Sequence, residues 1–160
     1  VKLDYEAEVA MVIGKKAKNV KEEYAQDYIF GYCIVNDVSE RSWQKERGGQ
    51  WIKGKSIAGN CGPLLVTKDD IENINNINLS LDVNKQRRQT GNTSRMIFNF
   101  NFLVSHISQF MTLFPGTIIT TGTPAGTAME MKEPKFLQAG DEIKIKIDYL
   151  GEQLQVVIDE

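Results

Sequence analysis

The first dozen residues constrain this chain most. In Leu3-Asp4-Tyr5-Glu6-Ala7-Glu8-Val9-Ala10-Met11-Val12-Ile13-Gly14, Tyr5, Ala7, Val9, Met11 and Ile13 share one face of a strand at period two. The opposite face carries Glu6 and Glu8 and then turns apolar at Ala10 and Val12. A solvent-facing row stays polar along its length, so this pattern places both faces inside the protein. Buried carboxylates need a cation. Acids at i and i+2 on one face have Cα atoms roughly 6.5–7 Å apart, within reach of a single ion. Hard oxygen ligands favour Mg2+, Mn2+ or Ca2+. Taken alone, Glu-x-Glu more often sits solvated on an exposed edge strand, and that reading stays open at this point.

A second apolar run, Tyr28-Ile29-Phe30-Gly31-Tyr32-Cys33-Ile34-Val35-Asn36, ends at Asp37. An acid at the end of a buried strand is well placed for a ligand. The following residues, Ser39 to Glu46, predict a short helix capped by Ser39, with Arg41 and Gln44 on one face, turned back toward the acids. A surface ion pair between Arg41 and Glu40, Glu46 or a neighbouring element fits the same segment.

Five strings in order, LDYEAEVAMVIGK, GYCIVNDVSERSWQ, WIKGKS, RQTGNTSRMIF and TTGTPAG, closely resemble the motifs of the fumarylacetoacetate hydrolase superfamily and cover essentially the whole chain. The resemblance implies a mainly β fold with short helices, the family's mixed β-sandwich roll, as a single catalytic domain over residues 1–160. It implies Glu6, Glu8 and Asp37 as the ligands of Mg2+ or Mn2+, with Ca2+ also compatible. Lys55 matches the family's active-site lysine and Arg41 and Gln44 match residues that contact substrate oxygens. Thr123 matches the threonine of the turn that closes over the substrate carboxylate. The implied substrates are short 2-oxo acids of the acylpyruvate type, whose cleavage, decarboxylation or isomerisation builds up enolate charge that a divalent ion and Lys55 would stabilise. A homodimer is expected by the same resemblance. A non-catalytic binding or assembly domain on this fold is the second reading.

Three departures bear on that expectation. Family members carry an upstream lid segment with a His and a Glu that position water, whereas this chain starts at Val1 and is expected to lack that segment, so either it is one part of a longer protein or its hydrolysis is impaired. The one histidine, His106, falls in an apolar helical run over 101–111 and is read as a packing or interface residue. The stretch after Lys55, from Ser56 to Pro63, is shorter than usual, and Asn84-Lys85 replaces an Asn-Gly hairpin turn, with Lys85 disfavoured at positive φ.

Composition agrees with one compact domain: 160 residues with 41% hydrophobic content support a core. With 19 basic and 21 acidic residues there is no electrostatic case for nucleic acid. No apolar stretch approaches the ~18–20 residues needed to cross a membrane, and no leader precedes the first strand, so a cytoplasmic location is expected. Cys33 and Cys61 lack Cys-x-x-Cys spacing, which suits a reducing compartment, with Cys33 read as a small core residue. Further along, a short helix is expected over 21–27, a loop over 73–78, a strand over 117–121, and a structural hairpin pairing 142–148 with 153–158.

Overall fold

Residues 1–46 and 60–159 are described by the structure, a computed structural model. Their strands are β1 (Leu3–Asp4), β2 (Ala7–Ile13), β3 (Ile29–Asn36), β4 (Ser39–Glu40), β5 (Asn60–Thr67), β6 (Asn78–Val83), β7 (Gln86–Asn92), β8 (Ile118–Thr120), β9 (Glu142–Ile147) and β10 (Gly151–Val156), with one α-helix, α1 (Phe100–Phe110). There are two four-stranded antiparallel sheets, β5-β3-β2-β8 and β10-β9-β6-β7, and a separate small β1-β4 pair. The architecture is the mainly β arrangement that the sequence predicts.

The alternation in the first strand does what it implies. Tyr5, Ala7, Val9, Met11 and Ile13 are all buried in one apolar cluster with Leu79, Leu81, Ile143, Ile145 and Ile147 of the facing sheet and with Phe100 and Val104 of α1. Ala10 on the reverse face packs with Cys33, Val35 and Val12. Glu6 and Glu8 are therefore only 9% and 3% exposed. The edge-strand reading falls, because β2 is flanked by β3 on one side and β8 on the other. Burying each large apolar side chain contributes about 1.5–3 kcal/mol, which holds the strand in place despite its two carboxylates.

The single strand expected over 3–14 is nevertheless two strands, because the chain changes partners between Asp4 and Ala7. Side chains take over the backbone pairing there. Asp4 Oδ1 accepts from the Tyr5 N–H (2.9 Å), Asn36 Oδ1 from the Glu6 N–H (3.0 Å) and Gln89 Oε1 from the Ala7 N–H (3.0 Å).

The helix expected from Ser39 is corrected in the same way. Ser39–Glu40 is a strand paired with Leu3–Asp4, and a π-helical turn, Ser42–Glu46, follows it. The Ser39 hydroxyl donates to the Asp37 carbonyl and caps nothing (2.9 Å). Capping falls to Glu40, which accepts from the N–H groups of Trp43 (2.7 Å), Ser42 (3.2 Å) and Lys2 (2.7 Å) and from the Ser42 hydroxyl. Burial pushes the Glu40 carboxyl up, but those donors outweigh it and hold it down at about 2.

Elsewhere the differences are small. The 21–27 segment forms a 3-10 run, Glu22–Tyr28, and the 73–78 loop contains a 3-10 turn, Ile74–Asn76, that buries Ile74. Asn84 and Lys85 both adopt positive φ (49° and 65°), so the disfavoured turn forms. Asn84 fastens it by accepting from the Glu142 N–H (2.9 Å) and donating to Asp141 (2.7 Å).

Candidate metal and substrate site

β2 delivers Glu8, the residue leading into it is Glu6, and Asp37 directly follows β3, its N–H donating to the Glu6 carbonyl (2.9 Å). One carboxylate oxygen from each of the three lies within 4.8 Å of the others. At that spacing two unit charges repel by roughly 3–4 kcal/mol at an effective dielectric of about 20. Three hard oxygen donors converging in a largely buried place therefore fit a small divalent cation.

Arg41 closes one side of the cluster. It is 4% exposed and donates through Nη2 to Glu6 (2.6 Å), through Nε to Asp4 (2.9 Å) and through Nη1 to Gln44 Oε1 (2.8 Å). The surface pairing with Glu40 or Glu46 does not form. Burial works against the guanidinium charge, but the bonds to Glu6 and Asp4 raise its pKa overall. Because Gln44 Oε1 accepts from Arg41, the amide orientation is fixed, and its buried Nε2 is left with no partner among the described residues.

The other side is closed by Thr121-Gly122-Thr123, which continues the β8 pairing with side chains. Beyond Thr120, opposite Ala10, the Thr121 hydroxyl donates to the Val9 carbonyl (2.6 Å), the Gly122 N–H to Glu8 Oε2 (2.7 Å) and the Thr123 hydroxyl to the Ala7 carbonyl (2.9 Å). Gly122 has φ 88°, a conformation that glycine adopts without strain. The turn thus orients Glu8, and the Thr123 hydroxyl proton is committed to the scaffold. A cleft of about 460 Å³ runs along Thr121 to Ala125 and Thr90 to Phe98, yet none of the three acids lines it. The carboxylates, more than that cleft, mark the chemistry.

Three residues that the sequence reading passed over hold this geometry. Asp4, fully buried, accepts from Arg41 Nε and from the N–H groups of Tyr5, Ala128 (2.8 Å) and Met129 (3.1 Å). Its place in the i, i+2 series with Glu6 and Glu8 was the available signal. Gln89, also fully buried, joins β2 to the turn: besides accepting from Ala7, it donates to the Thr123 hydroxyl (2.8 Å) and the Pro124 carbonyl (2.7 Å). Asn36 links the Glu6 N–H to Gln155 (2.6 Å), which bonds Gln153 (2.9 Å), which in turn donates to the Gly62 carbonyl (2.7 Å). The C-terminal hairpin, expected to be structural only, therefore braces, through Asn36, the Glu6 backbone at the entry to β2. Lys55 lies outside the described residues. His106 is far from this chemistry in kind, exposed and ringed by Phe102 and Phe110 on α1.

This fold, with its buried three-carboxylate cluster, defines a class: the chain belongs to the fumarylacetoacetate hydrolase family, and residues 1–158 match the description "Fumarylacetoacetate (FAA) hydrolase C-terminal". Among solved structures, it is similar to the fumarylacetoacetate hydrolase of Exiguobacterium antarcticum (38% identity, TM-score 0.94, 99% of this chain and 57% of that one). It is also similar to the 2-hydroxyhepta-2,4-diene-1,7-dioate isomerase of Mycobacterium marinum (37% identity, TM-score 0.87, 98% and 59%). A Burkholderia cenocepacia protein, whose name goes no further than the hydrolase class, is 51% identical over 158 residues, 97% of this chain and 56% of its own length. The chain thus spans a little over half the length of the curated relatives it matches. No described helix is long and apolar enough to cross a membrane.

Proposed function

We propose that this chain carries the catalytic site of a divalent-metal enzyme acting on short 2-oxo acids, with acylpyruvate-type carbon–carbon hydrolysis as the leading reaction. Decarboxylation of oxaloacetate and isomerisation of a hydroxydienedioate are the related reactions of the same site. The observation that carries this reading is the convergence of Glu6, Glu8 and Asp37 within 4.8 Å in a fold family whose members are named for hydrolysis and isomerisation of such acids.

In this reading Glu6, Glu8 and Asp37 hold Mg2+ or Mn2+, and an all-oxygen set also accommodates Ca2+. When bound, the ion supplies Lewis-acid polarisation of the substrate's 2-oxo group. Arg41 fixes the Glu6 carboxylate and keeps two further guanidinium N–H donors for a substrate oxygen. Gln44 offers its remaining amide donor beside them. Gly122 aims Glu8, and Thr123 pins the turn against β2, so its contribution to binding a substrate carboxylate runs through the turn it fixes. Lys55 is assigned, by resemblance, the role of a fixed cation for charge developing on the 2-oxo oxygen, and removal of such a partner typically costs ~10²–10³ in rate. A homodimer in the reducing cytoplasm completes the proposal.

Titration calorimetry with Mn2+ or Mg2+ tests the ligand set directly. Glu8→Gln should weaken the ion by about tenfold or more, and unchanged affinity would place the ion elsewhere. Assays of an acylpyruvate, oxaloacetate and a hydroxydienedioate, each with and without Mg2+, rank the reactions, and activity indifferent to the ion would remove the proposed chemistry.

A further inference from the structure

Cys33 on β3 and Cys61 on β5 are both free thiols, one buried and one exposed, and their sulfurs are 3.0 Å apart. The β3–β5 register is irregular at this point: Cys33 lies opposite Leu65, while Cys61 lies opposite Val35. The slip brings together two side chains that are not direct cross-strand partners. We propose that Cys33 and Cys61 form a redox-sensitive pair, a disulfide-forming modification site in which Cys61 meets the oxidant and Cys33 completes the bond.

A small-molecule disulfide balances the chemistry. The Cys61 thiolate attacks one of its sulfurs, breaking that S–S bond and releasing one small thiol. Cys33 then gives its proton to solvent and attacks Cys61 Sγ, forming the Cys33–Cys61 bond and releasing the second thiol. Two protein thiols are oxidised and one small disulfide is reduced. The order follows from environment. Burial first, and then the hydrogen bond and charge of Cys61, push the Cys33 thiol up to about 12, whereas Cys61 is open to solvent. A disulfide needs the sulfurs at about 2.05 Å, so an approach of about 1 Å completes the bond.

The position of the pair gives the bond a consequence. The sequence between the cysteines contains Asp37, Arg41, Gln44 and Lys55, so oxidation closes a covalent loop around four of the seven candidate site residues. Intracellular disulfides of this sort are typically transient and redox-sensing. Nothing in this inference depends on the proposed reaction or on a bound ion.

Incubating the full chain with oxidised glutathione, alkylating, and measuring intact mass and a non-reducing peptide map tests it. The expected result is loss of both free thiols, a decrease of about 2 Da, and a joined peptide pair containing Cys33 and Cys61. The melting temperature should rise by several degrees and return on adding dithiothreitol. Cys61→Ser, at an exposed position, and Cys33→Ala should each abolish the bond and the shift. Cys61 stably carrying glutathione while Cys33 remains a free thiol, or neither sulfur reacting in the folded chain, would overturn the proposal.

Discussion

In the β10-β9-β6-β7 sheet, Ile143, Ile145 and Ile147 point into the core while Lys144 and Lys146 pair with Glu152 outside, and β9 and β10 pair in unbroken register, although β6 and β7 slip between Leu81 and Asp82. In the β5-β3-β2-β8 sheet, both faces of β2 are buried, charged groups lie inside, and Asn36, Thr121 and Thr123, joined by Gln89 from β7 of the first sheet, supply hydrogen bonds to the backbone of β2 and its entry. Apart from Gln89, Gln153 and Gln155, which reach across to the site strands and their neighbours, the first sheet is held by apolar alternation in β6 and β9 with an expendable charged surface. The other trades regularity for a fixed set of carboxylates, and every polar side chain in it must be matched because water cannot replace a lost partner.

That contrast can be broken most forcefully at Arg41. Arg41→Ala leaves Asp4 and Glu6 buried without their shared cation and should cost about 3–5 kcal/mol of stability by denaturant unfolding. Arg41→Lys, which keeps the charge but not the planar fork, should recover part of it. A loss near zero for Arg41→Ala would mean that these carboxylates are satisfied from elsewhere.

Gln89, on β7 of the facing sheet, probes the support of β2 without removing a charge, because its side chain bonds the Ala7 N–H. Gln89→Leu should cost ~1–3 kcal/mol, because the Ala7 N–H is orphaned in the interior. It should also weaken Mn2+ binding about tenfold, because the strand between Glu6 and Glu8 loses its tie to the turn. Stability lost with ion affinity intact would reduce Gln89 to packing.

A smaller effect is expected at Glu40, at the border of the site sheet. Its carboxyl is held at about 2, below its ordinary 4.5, so its charge stabilises the fold fully above about 4.5, and that contribution drains away as pH falls toward 2. Glu40→Gln should cost roughly 1–2 kcal/mol at neutral pH through the lost cap. It should also flatten the acid limb of stability between those pH values, and an unaltered limb would assign the acid sensitivity to other groups.

The smallest effect should come from the regular sheet. Glu152→Gln removes the partner of Lys144 and Lys146 on an exposed face and should leave both the melting temperature and Mn2+ affinity unchanged. A clear shift in either would erase the distinction between the sheets.

The β9 strand was legible because its residues answer to one variable, inside or outside, which the Glu142 to Ile147 alternation writes directly into the chain, whereas the buried Gln89 and Gln153 of the same sheet break that rule. The acidic positions Glu6, Glu8 and Asp37 were legible for a related reason: acids interrupting or ending apolar runs stand out against their neighbours. Ser39 misled, because a good N-cap residue says nothing about the neighbouring strand that captures it. Leu3–Asp4 paired with Ser39–Glu40, and the cap passed to Glu40.

By itself, then, the sequence determined the period-two apolar face from Tyr5 to Ile13, the two acids alternating with it and a third acid following an apolar run, since such patterning is a local fact. Only the tertiary structure decided which partners those carboxylates meet. Glu6 and Arg41 are separated by 35 positions, Ala7 and Gln89 by 82, and Glu8 and Gly122 by 114. Each of these bonds exists because a chain reversal, a sheet order and a glycine at positive φ bring the groups within about 3 Å, the distance at which a hydrogen bond forms. No local pattern encodes a distance between residues so far apart in the chain.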